Sequence, residues 1–146
     1  MKGGPAGARE AELKPGTLWR AARARTRSAL GAGALEPIRT DSTFVADSGV
    51  DFLVRTVSSL QNKARAKRAS GTRARRRPNP LLNYDEEMFV ADISPTHRCL
   101  LNKYNVIDHH LLIVTRAFED QRTLLTLADF EAACLCMAEF DGLAFY

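Results

Sequence analysis

The chain has 146 residues, 45% of them hydrophobic and 26% charged, with a formal net charge of +4. That is one domain's worth of ordinary globular composition, and no apolar run reaches the roughly 20 residues that span a bilayer. The N-terminus MKGGPAGARE has no apolar core and does not read as a secretory signal. The three cysteines, Cys99, Cys134 and Cys136, lack disulfide or zinc spacing, so a reducing compartment, the cytoplasm, is the expected location.

In chain order, residues 1–12 are Gly- and Ala-rich and read as a disordered tail ahead of a single unit over 13–146. Thr17 can cap a helix over 18–31, where Leu18, Trp19, Ala22, Thr26, Ala29 and Leu30 fall near one face. Gly31 and Gly33 end it. A transit peptide is the weaker reading of the same Arg- and Ala-rich stretch, WRAARARTRSAL. Short extended pieces follow around Leu35–Arg39 and Thr43–Ala46, and Val50–Val57 is rich enough in β-branched and aromatic residues to be a strand.

Charge then becomes uneven. Residues 1–80 carry 17 Lys and Arg against 6 Asp and Glu, whereas residues 81–146 carry 4 against 11. The run RAKRASGTRARRR at 65–77 holds seven basic residues and no acidic one, and reads as a mobile, solvated loop of about 65–79. It could neutralise phosphates, but it has no aromatic residue for base stacking, so nucleic acid is not the expected partner. The PNP at 78–80 ends it.

Beyond it, Met88–Ile93, Cys99–Val106 and His110–Thr115 read as three strands, the last apolar enough for a sheet interior. Their short connections favour antiparallel neighbours. Thr126 and Asp129 make a capping box for a helix over 127–140. Leu127, Phe130, Cys134, Met137 and Ala138 recur at helical spacing and are expected to pack on the sheet. The pattern is α+β, with an antiparallel sheet and flanking helices.

Few of these residues carry chemistry by spacing alone. His97, Cys99, His109 and His110 match no zinc motif, and adjacent histidines on a strand point to opposite faces. Structural roles are expected for them, and core or near-core positions for Cys134 and Cys136. Asn102-Lys103 stands out within CLLNKYNV. An ammonium there needs water, a partner or a ligand. Together with the amide it suits a phosphate or ribose, although an exposed strand edge explains the pair nearly as well. By spacing alone, Lys63 reads as the first charge of the basic stretch rather than as a phosphate contact.

The stretches LKPGTLW, GALEPI and VDFLVRTVSSLQNKA, and above all LLNKYNVIDHHLLIVT followed by LLTLADFEA, resemble the N-terminal region of the ATP adenylyltransferases, also called diadenosine tetraphosphate phosphorylases. The resemblance covers about 12–146, with 68–77 its weak spot. It implies an incomplete fold of the histidine-triad (HIT-like) kind. It also implies a nucleotidyltransferase that cleaves diadenosine tetraphosphate with phosphate to ATP and ADP, reversibly, through a nucleotidyl-histidine. Magnesium is implied only as a companion of the polyphosphate.

Residue by residue, Lys63 matches a substrate-binding lysine of the family, and Asn102 with Lys103 matches its substrate-binding Asn-Lys pair. His110 matches a structural histidine that opens the strand after the HIT-type loop. The family's phosphate loop and its His-x-His-x-Gln motif, which carries the nucleophile, have no counterpart in these 146 residues. The expectation is a chain truncated before the catalytic motif, inactive alone, with a separate C-terminal chain as a conceivable partner. The rival expectation is a non-catalytic nucleotide- or RNA-binding module that uses the basic loop.

Overall fold

The computed structural model describes residues 13–57, 84–120 and 122–146. The tail at 1–12, the polar stretch containing Lys63, the basic run and the PNP lie outside the described residues.

Helix α1 spans Leu18–Gly31 and buries Leu18, Ala22, Thr26 and Ala29, a stripe at helical spacing. Trp19 and Leu30, expected on that face, flank it at 37% and 47% exposed. Thr17 occupies the cap position, but its hydroxyl donates to the Lys14 carbonyl at 2.6 Å. The helix start is capped from a distance instead. The Glu139 carboxylate accepts the Gly16 and Leu18 amides at 2.7 and 3.0 Å. Gly33 ends the helix at φ +69°, where a side chain would be strained, and its amide returns to the Leu30 carbonyl.

Strands β1 (Thr40–Asp47) and β2 (Val50–Val57) form an antiparallel hairpin closed by Ser48 and Gly49, both at positive φ. A two-residue turn of this kind matches the twist of the strands it joins. The Val50–Val57 strand is as read from sequence, and the piece at 43–46 is longer than read. Leu35–Arg39 is extended without being a strand of either sheet.

A 3-10 turn over Glu86–Met88 leads into β3 (Phe89–Asp92), then β4 (His97–Leu101) and β5 (Leu111–Thr115). They form an antiparallel sheet in the order β3-β4-β5, with a bulge in β3 between Phe89 and Ala91. The architecture is α+β, as the sequence pattern indicates. Two strand readings are corrected. The Cys99–Val106 strand begins earlier and stops at Leu101, because the Asn102 side chain accepts the Tyr104 amide and turns the chain. The segment at 111–115, expected in the sheet interior, is half-buried and, among the described residues, lies at the sheet's edge beside β4.

Helix α2 spans Leu127–Met137, and its capping box forms as expected, with the Thr126 amide and hydroxyl each donating to Asp129 Oδ2 at 2.6 Å. The expected packing face is wrong. Leu127 and Phe130 are 74% and 56% exposed, and Cys134, Met137 and Ala138 are exposed too. The buried residues are Ala132 and Cys136. Small side chains let the helix backbone sit close to the core, while Asp129 and Glu139, on the same side, find polar partners there.

One core joins these elements: Leu18, Ala22 and Ala29 of α1, Met88, Val90 and Ile93 around β3, Cys99 and Leu101 of β4, and Ala132 and Cys136 of α2. Each fully buried leucine or isoleucine contributes roughly 1.5–3 kcal/mol. Burial pushes the Cys136 thiol up to about 11 and the Cys99 thiol higher still, so both remain protonated and act as small apolar side chains. Cys134 is exposed, against the reading that placed it in or near the core.

Candidate functional site

The central strand β4 ends in a turn over residues 102–110 that returns the chain to β5. The turn begins with Asn102, whose amide donates to the His110 carbonyl at 2.9 Å, closing the loop at its base. The Asn102 side chain donates from Nδ2 to His110 Nδ1 at 3.4 Å while Oδ1 accepts from Tyr104. Asn102 is therefore a turn former as well as a candidate ligand. The next residue, Lys103, projects outward, 45% exposed, at the tip of a rigid bend rather than along a strand.

Three neighbouring segments hold this turn. The extended stretch after α1 runs alongside it, with the Glu36 amide donating to the Lys103 carbonyl at 2.9 Å and the Ile38 amide to the Asn105 carbonyl at 2.8 Å. The hairpin adds Thr40 Oγ1 and Arg55 Nη1, both 3.4 Å from the Val106 carbonyl. Helix α1 grips the far end, where Trp19 meets the His109 ring edge-on at 4.8 Å. The Thr26 hydroxyl donates to the Ala22 carbonyl, so His109 Nδ1, 3.1 Å away, is the donor to Thr26 Oγ1. His109 adopts φ +54°, an uncommon backbone for a non-glycine residue that these contacts stabilise.

Around the lysine, Glu36 Oε1 lies 3.1 Å from Nζ, and the ammonium sits 5.6 Å from the centre of the Tyr104 ring. The hydrogen bond and charge of Glu36, with smaller effects from Tyr104 and Asp85, hold the Lys103 pKa above its ordinary value. Lys103 is thus a fixed positive charge, accessible from one side.

The structure separates the histidines. His97 is buried at the start of β4, its Nε2 donating to Asp129 Oδ1 at 3.0 Å and its Nδ1 3.0 Å from Thr96 Oγ1. His109 and His110 lie in the turn, not on the strand that would set them on opposite faces. Among the described residues no group of three or more His, Cys, Asp or Glu side chains could hold a metal ion. Lys63 lies outside the described residues, so the structure places only Asn102 and Lys103 of the three expected ligands. Sequence reading missed Glu36 and the buried Asn105, whose Nδ2 donates to the Ile107 carbonyl at 2.8 Å. The only sequence hint of Glu36 is an acid placed just before a proline in an extended segment.

An α+β domain whose central strand ends in a braced turn carrying the Asn102-Lys103 pair defines the class of protein. Its backbone matches yeast Ap4A phosphorylase Apa2 solved in complex with Ap4A, at a TM-score of 0.71 and 25% identity over 87% of this chain and 40% of that one. The match to Apa2 in complex with AMP has a TM-score of 0.69 at 24% identity, again over 87% and 40%. Diadenosine tetraphosphate phosphorylase 2 of Saccharomyces cerevisiae is 33% identical over 94 residues, 62% of this chain and 28% of that protein. The family model of the Ap4A phosphorylase N-terminal domain matches residues 8–146, and the chain belongs to that family. It spans well under half the length of these relatives. Among the described residues no helix is long and apolar enough to cross a membrane.

Proposed function

We propose that this chain supplies the substrate grip of a diadenosine tetraphosphate phosphorylase, with Asn102 and Lys103 contacting substrate phosphate or ribose and Lys63 adding a second cation. The carrying observation is the β4–β5 turn, which presents one accessible ammonium on a backbone fixed from three sides. A preset cation loses little freedom when it meets an anionic ligand. The family membership and the Ap4A-bound relative point to the ligand class.

In the whole reaction a histidine nitrogen attacks the α-phosphorus of one adenylate and expels ATP, and a phosphate oxygen then displaces the histidine to give ADP. His97, His109 and His110 are the only histidines of this chain, and each is engaged in a structural hydrogen bond. The nucleophile is therefore not assigned to any of them. A magnesium ion would travel with the polyphosphate.

Titration of the 146-residue chain with diadenosine tetraphosphate should show saturable binding. Lys103→Ala should weaken it about tenfold, the loss expected for a charged hydrogen bond. In phosphate buffer the chain should release no ATP beyond the Lys103→Ala background. Turnover above that background would show that these residues hold a catalyst as well as a grip. The seven basic residues of 65–77 support a rival reading. Salt-sensitive RNA binding lost on deleting 65–77, with no nucleotide affinity, would favour it.

A further inference from the structure

We infer that Glu36 is a built-in counter-ion for Lys103, which occupies the ammonium when the site is empty and yields it to the incoming polyphosphate. The inference rests on the reading of Lys103 as a substrate contact.

The geometry argues against an incidental surface pair. Glu36 touches Lys103 twice, through its own amide to the Lys103 carbonyl at 2.9 Å and through Oε1 to Nζ at 3.1 Å. Its backbone is fixed on both sides. Alternate amides of the segment, Glu36 and Ile38, bond alternate carbonyls of the turn, Lys103 and Asn105. Pro37 falls between them, where no amide donor is needed, and a following proline confines Glu36 to an extended conformation. The constrained main chain therefore sets Glu36 beside the lysine, with its carboxylate in reach of the ammonium.

Its strength suits a counter-ion that must be displaced. Both side chains are about half exposed, 45% for Lys103 and 55% for Glu36, so water screens the pair. A polyphosphate carries several charges and outcompetes one screened carboxylate, whereas chloride or a lone phosphate does so poorly. Until then Glu36 keeps Lys103 extended beside Tyr104. Tyr104 and, more weakly, Asp85 also act on the ammonium, each by less than Glu36 does. Glu36 is on this account a positioning residue that sets the affinity threshold, with no part in bond making.

The test is a double-mutant cycle on the 146-residue chain, with calorimetric titration by diadenosine tetraphosphate at low salt. Glu36→Gln keeps the backbone bonds and removes the charge. It should tighten binding about two- to fivefold, the range of an exposed ion pair, and Glu36→Asp should stay close to wild type. In the Lys103→Ala background the Glu36→Gln change should shrink to less than twofold, which a purely structural or long-range role would not produce. Thermal melting checks that all variants fold. If Lys103→Ala weakens binding while Glu36→Gln leaves it unchanged or weaker, the counter-ion role is overturned and the grip stands. If Lys103→Ala binds as wild type does, the grip itself is wrong and the inference falls with it.

Discussion

Asp129 performs three tasks with one carboxylate. It accepts the hydroxyl and amide of Thr126 and, from the other oxygen, the imidazole N–H of buried His97. Those bonds, Thr126 first and His97 after it, lower its pKa to about 2 from the ordinary carboxylate value of 3.8. Because the folded value lies below the unfolded one, the stabilisation is fully present above about pH 4. It fades as pH falls toward 2. Asp129→Asn should destabilise the chain by about 1–2 kcal/mol at neutral pH, a figure discounted for partial solvent exposure. The gap to wild type should close in acid. Urea melts at pH 7 and pH 2.5 check this, and a gap as wide at the lower pH as at neutral pH refutes it.

Among the elements, helix positions were more legible than helix orientations. The capping box of α2 is written in Thr126 and Asp129, and its start is where sequence puts it. Which face turns inward is not written there, because α2 is apolar on several sides. Close approach to the core selected Ala132 and Cys136 over Leu127 and Phe130. The strand at 99–106 failed for a different reason: Asn102 ends it by a local side-chain bond that composition does not register. At the site, Asn102 and Lys103 were legible as a motif, whereas Glu36 became visible only when the 66 residues of intervening chain were folded back. The α1 cap is a further long-range surprise, since Glu139 rather than Thr17 receives the first amides. Glu139→Gln should lower stability by about 1 kcal/mol, as loss of a charged cap does. Thr17→Ala should cost less. Parallel thermal melts of the two variants test that order.

At the scale of the molecule, exposed apolar side chains among the described residues include those on the outer side of α2, on both sides of the β1–β2 hairpin, and Leu124, Leu143, Phe145 and Tyr146. A two-stranded ribbon is marginal without support, and here the hairpin's base is tied to the 102–110 turn by Thr40 and Arg55. Replacing exposed Phe130 by Glu should leave stability within about 0.5 kcal/mol and reduce self-association in light scattering. Ala132→Leu, on the opposite side of the helix, should cost about 1–3 kcal/mol through overpacking. Equal losses in the two variants would mean that Phe130 is covered in solution.

Helix α2 itself is fastened at both ends, by Asp129 to His97 and by Glu139 to the start of α1. Detaching it frees the first amides of α1 and leaves a buried imidazole without its acceptor. Neither fastening opens alone at low cost, so α2 and the first turn of α1 form one cooperative opening unit. Their amides should therefore exchange with solvent together, at a rate distinct from that of the central strand, as native-state hydrogen exchange would show.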